Sequence, residues 1–309
     1  MLSVAAAPAI AEPDFVYRDA IRRLDPMGLG GIEPEIASIL GKYYGASLGG
    51  PKHWEGIESI RFDGTLRLPQ GEFSFVAYKK KPDYCKVILL GKRGLRVAMA
   101  YDGADTWQLN SADPKGAVAM PPAEALNFIR DAPTASHLLY ATLPGKRIEL
   151  LGRRKVSGFA CHELRVTLPN GQQVTYAIDA NSYVERQQIV VNSVSGATEV
   201  TTHMRNDLLE GLSIPVESTM TVDGEFKHEV RMRGVKVNQG LSAAVFARPA
   251  PSSVAGGAGA DRYTPPGAVM EIDSAFQVAP SPFSGAGQSA FPDPAAAPAR
   301  SVLDEIGDL

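Results

Sequence analysis

Residues 60–68 read Ile60-Arg61-Phe62-Asp63-Gly64-Thr65-Leu66-Arg67-Leu68. Ile60, Phe62, Leu66 and Leu68 alternate with Arg61, Asp63, Thr65 and Arg67. An extended chain sends successive side chains to opposite faces, so this stretch predicts a strand with one apolar face and one wet face. Gly64 interrupts the pattern and marks a bend or bulge. The same period continues downstream at Phe73 and Phe75 and at 84–90, 95–101 and 106–109. Pro69-Gln70-Gly71, Lys81-Pro82-Asp83, Gly91 to Gly94 and Asp102-Gly103 separate these runs, each a turn signal, so the segments read as an antiparallel meander.

Upstream the period changes. Ile36, Ile39, Leu40, Tyr43, Tyr44 and Leu48 recur at helical spacing behind Pro34, and Gly49-Gly50 supplies a stop, which predicts one leading amphipathic helix. After Pro121-Pro122 the spacing predicts two short helices, over 123–131 and 134–142. Strand signals then resume at 147–151, 160–168, 173–179, 184–192, 197–204, 214–222 and 226–237, with strong hairpin turns at Pro169-Asn170-Gly171 and Asp223-Gly224. The expected fold is mainly β: a strongly curved, antiparallel, half-open barrel of about eleven strands with helices laid over it.

Of 309 residues, 44% are hydrophobic and 21% charged, close to the soluble globular average, which excludes fibrous, wholly disordered and polytopic membrane classes. No apolar run is long enough to cross a bilayer as a helix, leaving peripheral membrane contact only. The net charge of −3, with no dense Lys/Arg cluster, gives nucleic acid nothing to bind. From Pro249 onward the chain carries nine of its 23 prolines, rich Ala, Gly and Ser, and seven acidic against two basic residues. Residues 250–309 therefore read as a disordered tail, with a short amphipathic helix expected from Ser301 through Val302, Leu303, Ile306 and Leu309. At the other end, Ala9-Ile10-Ala11 closes a small, apolar leader and is a pattern a signal peptidase accepts, so 1–11 is expected to be a residual export signal. Residues 12–32 then form an arm, and 33–249 the folded domain.

Catalytic and metal signals are weak. Gly45-Ala46-Ser47-Leu48-Gly49 matches the G-x-S-x-G of hydrolases, but it sits at a helix end instead of a strand-to-helix elbow. His162-Glu163 lies beside Cys161, where strand neighbours face opposite ways and do not converge on a metal. His53, His137, His162, His203 and His228 have no ligand spacing. Accordingly no catalytic residue, metal or cofactor is expected. Cys85 and Cys161 are the two cysteines; in an oxidising compartment they could form one disulfide, and two buried free thiols are the competing expectation.

Lys42-Tyr43-Tyr44, Leu48-Gly49-Gly50, Trp54, Ile57, Gly64-Thr65, Lys81-Pro82-Asp83 and Tyr101-Asp102-Gly103 with Trp107 resemble the outer-membrane lipoprotein-sorting protein family, the LolA/LolB-like carriers. Lys155-Val156-Ser157-Gly158 before Cys161, Tyr176-Ala177-Ile178-Asp179, Val237-Asn238 and Phe246 with Pro249 fit the same pattern, over roughly residues 35–249. The resemblance implies a curved sheet whose helices form a lid over an apolar cavity for acyl chains, in a periplasmic, non-enzymatic carrier of envelope lipid or lipoprotein. The tail has no counterpart in the short carriers, and no lipobox cysteine follows the leader.

On that expectation the cavity lining would be Phe62, Leu66, Phe73, Phe75, Val97, Met99 and Trp107 from the strands, with Leu126, Phe128 and Leu139 from the helices. The competing expectation is that these side chains fill an ordinary core. A different class of function, a scaffold or accessory subunit in an envelope complex with the tail as tether to a protein partner, fits the same fold.

Overall fold

The alternation at 60–68 becomes β1 (Ser59–Leu68), the first strand of a single antiparallel sheet in a computed structural model that describes residues 21–69, 71–192 and 195–250. The leader, most of the tail and the expected helix after Ser301 lie outside the described residues. Following β1 come β2 (Gly71–Lys80), β3 (Tyr84–Leu90), β4 (Arg96–Tyr101), β5 (Thr106–Asn110) and β6 (Val118–Ala119). The second run is β7 (Arg147–Val156), β8 (Phe159–Thr167), β9 (Gln173–Asp179), β10 (Glu185–Val191), β11 (Thr198–Leu209), β12 (Leu212–Val222) and β13 (Glu225–Val237). These 13 strands, against the eleven or so expected, lie in the order β6-β5-β4-β3-β2-β1-β13-β12-β11-β10-β9-β8-β7. The added β6 is two residues long and carries no periodic signal.

The sheet curves without closing into a barrel. Val87 and Leu89 from β3 share one apolar cluster with Leu164 and Val166 from β8 and Tyr176 and Ile178 from β9, so both wings curl around a common core. Gly64 sits where the β1–β13 register slips, between Asp63 and Gly64. A Cβ there would lie 2.3 Å from the Arg231 carbonyl oxygen and 2.5 Å from the Phe75 ring, so only glycine lets the two strands and that ring approach.

Helix α1 (Pro34–Leu48) buries Ile36, Ile39, Leu40, Tyr43, Tyr44 and Leu48, the residues its spacing singles out. It stops at Gly49, whose φ of 72° is left-handed, and the Gly50 N–H returns to the Tyr44 carbonyl at 2.9 Å. A short α2 (Pro51–Glu55) follows, and α3 (Pro122–Asp131) realises the first expected mid-chain helix. The second does not form: residues 134–142 run as bends and turns. Tyr140 has a φ of 54°, and its N–H leaves the segment to bond the Pro26 carbonyl at 2.7 Å, so a tertiary contact overrides the apolar spacing. Met27 belongs to the core cluster, and Leu29 and Ile32 pack against it.

Residues 243–246 cover the outer face of β3–β5. Phe246 is fully buried; its carbonyl accepts from Trp107 Nε1 at 2.8 Å and its ring lies 5.3 Å from that of Tyr84.

Candidate functional site

The inner face of the sheet is a floor, and residues 122–143 lie across it as a cover. Phe62, Leu66, Phe73, Phe75, Val97 and Met99 from the strands and Phe128 and Leu139 from the cover fall in one cluster of buried side chains. Two expected members do not. Trp107 packs with Ala98 and Ala100, which alternate with Val97 and Met99 along β4 and so face the other way. Leu126 is half-buried and outside the core, because the core-facing stripe of α3 is Ala125, Phe128 and Ile129.

Polar bonds anchor the cover. On β2 the inner row runs Phe73, Phe75, Ala77, Lys79, placing an ammonium on the apolar face with 2% exposure. Lys79 Nζ donates to the carbonyls of Asp131 at 2.6 Å and Pro133 at 2.9 Å. Arg130 clasps its neighbour Asp131 through two bonds, at 2.8 and 2.7 Å, and reaches Glu199 on β11 at 3.2 Å. Asn192 steadies Glu199 from the other side at 3.2 Å. Further along, Tyr44 donates to the Leu138 carbonyl at 2.8 Å and the His137 N–H to the Tyr176 hydroxyl at 3.2 Å. Burial pushes the Asp131 and Glu199 carboxyls up, opposed by the Arg130 charge, and pulls the Lys79 ammonium down.

Beside this cover lies a cavity of about 60 Å³, bounded by α1 (Tyr43, Ser47, Leu48), Trp54, β1 (Ile60, Phe62), the 134–136 stretch, Glu185, Asn206, residues 212–215 and Met232. Of the ten side chains expected to line a cavity, Phe62 alone lines this one. Pockets for drug-sized ligands run to about 300–1,000 Å³, so this cavity does not hold an acyl chain with the cover closed.

Next to the cavity, His203 places Nδ1 2.8 Å from Ser218 Oγ and Nε2 3.1 Å from Glu185 Oε1. These are the residue types of a hydrolytic triad in reverse: the acid faces the cavity, and the serine lies behind the imidazole. Ser47 is buried and bonds the Tyr183 carbonyl at 3.3 Å, as a helix-end residue does. Among the described residues no group of three His, Cys, Asp or Glu is placed to hold a metal. Cys85 and Cys161 are both free and buried. The disulfide is absent because the thiols occupy separate environments: Cys85 joins the main core, and Cys161 packs with Val156 and Ala177.

No family model matches the chain, and no curated protein matches it. Among solved structures, it is similar to a DUF1329 family protein from Desulfovibrio piger, at 14% identity and a TM-score of 0.47, covering 62% of this chain and 91% of that one. It is also similar to a candidate outer membrane lipoprotein-sorting protein domain from Vibrio parahaemolyticus, at 17% identity and a TM-score of 0.46, covering 68% and 94%. A LolA superfamily protein from Nitrosomonas europaea matches at 12% identity and a TM-score of 0.45, covering 68% and 96%. These likenesses lie in the fold.

Proposed function

We propose that the protein is a non-enzymatic carrier that takes acyl chains of a lipid or lipoprotein between the apolar inner face and the 122–143 cover. One observation carries the reading: an apolar floor is covered by a segment tied down through buried charged groups. A permanently packed core element gains little from such groups, since apolar side chains of similar volume stabilise at least as well. Buried charge pairs do define a single closed position and lose it as a unit when broken, which suits a cover that opens. Each buried methylene contributes about 0.8 kcal/mol, so one long acyl chain supplies on the order of 10 kcal/mol to offset opening. Export to the periplasm, from the leader at 1–11, and a role in envelope lipid or lipoprotein trafficking belong to the same proposal.

Native mass spectrometry of gently purified protein tests it, with co-purified lipid expected. In parallel, at least one of Phe75→Glu, Met99→Glu and Phe128→Glu should stay folded by circular dichroism yet lose a fluorescent fatty-acid probe. Folded wild-type protein that binds no acyl probe at micromolar concentration overturns the reading. The small size of the cavity favours a second reading, a scaffold in an envelope complex, and that outcome would select it.

A further inference from the structure

Seven buried side-chain polar atoms among the described residues have no hydrogen-bond partner, and three of them, Trp54 Nε1, Thr134 Oγ1 and Asn206 Oδ1, belong to residues lining the cavity beside the cover. Trp54 is 2% and Thr134 6% exposed, so bulk water does not serve them. Leaving buried donors and acceptors unmade is costly, so three that meet at one cavity call for a partner from outside the chain. They come from three separate elements, α2, the cover and β11, so no single local turn explains their convergence.

We infer that this cavity takes the uncharged, hydroxyl-bearing head of an acyl lipid, such as a glyceryl ester, and selects against a carboxylate or phosphate head. The inference rests on the carrier reading and names its substrate class. Indole N–H only donates, an amide oxygen only accepts, and a hydroxyl does both. A glyceryl or other hydroxyl-bearing ester answers all three at once, accepting from Trp54 and donating to Asn206. An anionic head offers acceptors alone. It would leave Asn206 Oδ1 unmet and would face the Glu185 carboxylate, which also lines the cavity, whereas no lysine or arginine does. The volume fits a head and not a chain: about 10–15 Å³ of such space holds one water, so about 60 Å³ holds a few waters or a small polyol end. Phe62 belongs both to the cavity wall and to the apolar floor, which gives the hydrocarbon a continuous path from the head site under the cover.

The test compares two ligands with the same chain, 1-monooleoylglycerol and oleate, as competitors of a neutral fluorescent probe on the full chain, above about pH 8 where oleate is ionised. Monooleoylglycerol is expected to bind about ten-fold more tightly, the worth of one or two satisfied buried hydrogen bonds. Thr134→Val, which keeps volume, and Trp54→Phe, which removes the indole N–H, should each weaken monooleoylglycerol more than oleate and so shrink that ratio, with the fold intact by circular dichroism. Monooleoylglycerol should also shift tryptophan emission in the wild type and not in Trp54→Phe. Equal affinities, or a ratio unmoved by both variants, overturn the head site and leave the carrier reading standing. Failure of both ligands to bind overturns the two together.

Discussion

Replacing Arg130 by methionine isolates what the cover's charged anchor does. The Arg130 and Asp131 side chains are each 2% exposed and that of Glu199 is 3% exposed, so removing the guanidinium strands two carboxyls in a dry site, with Lys79 the remaining cation facing Asp131. Breaking a buried pair in this way costs about 3–5 kcal/mol. The cost depends on pH with a definite sign. Burial already raises both carboxyls in the wild type, and losing Arg130 raises them further, so they stay protonated in the folded state while the unfolded chain releases its protons. Folded stability contributed by protonation is present at low pH and is lost as pH rises through the raised values, so the variant's deficit grows from mildly acidic to alkaline buffer. With a urea m-value of about 2 kcal/mol/M, the midpoint should fall by roughly 2 M near pH 8 and by visibly less near pH 5. Urea titrations at both pH values, followed by circular dichroism and tryptophan fluorescence, read this directly. Arg130→Met/Glu199→Leu should recover part of the loss. A deficit under about 1 kcal/mol, or one identical at both pH values, would refute the anchoring argument.

Three further outcomes are expected. Burial holds the imidazole of His228 down to about 4 and that of His137 to about 3, so between pH 6.5 and those values the unfolded chain takes up protons that the folded chain refuses. Stability should fall on acidification, and His228→Gln should flatten the fall by up to about 3 kcal/mol in urea titrations from pH 7 to pH 4. Ellman titration should find two thiols in unfolded protein and slow reaction in native protein, where burial pushes the Cys85 thiol up to about 11. Ending the chain after Ala250 should leave the melting temperature nearly unchanged, whereas ending it after Gly240 strips Phe246 from Trp107 and Tyr84 and should lower it by several degrees.

What the sequence discloses depends on whether the deciding contact is local. β1 and α1 are legible because each carries its own period and stop signal. Residues 134–142 mislead because the apolar Leu138, Leu139 and Tyr140 fit a short buried helix, yet the Tyr140 N–H goes to the Pro26 carbonyl, far away in sequence. Trp107 misleads for another reason: β4 is buried on both faces from Val97 to Tyr101, so alternation cannot say which face is inner. Within the site, the apolar period that marks Phe73 and Phe75 does not single out Lys79, whose acceptors are carbonyls on another segment. The Arg130–Glu199 pair, 69 positions apart, and the three unpaired atoms of the cavity are products of folding without a sequence pattern of their own.

Leaving the sheet open exposes margins that a closed barrel lacks. Among the described residues, β7 has a partner on one side only, and its ten residues offer a free ladder of N–H and C=O groups to any other extended chain. That margin is guarded. It carries Arg147, Arg153, Arg154 and Lys155 against the single acid Glu149, and Gly152 with a φ of 121° breaks the ladder where the register slips past Leu150. Two copies brought margin to margin would set like charges against each other along an edge already bent out of line. The positive strip is therefore a device for solubility: it lets the sheet remain open without polymerising through its own unpaired backbone.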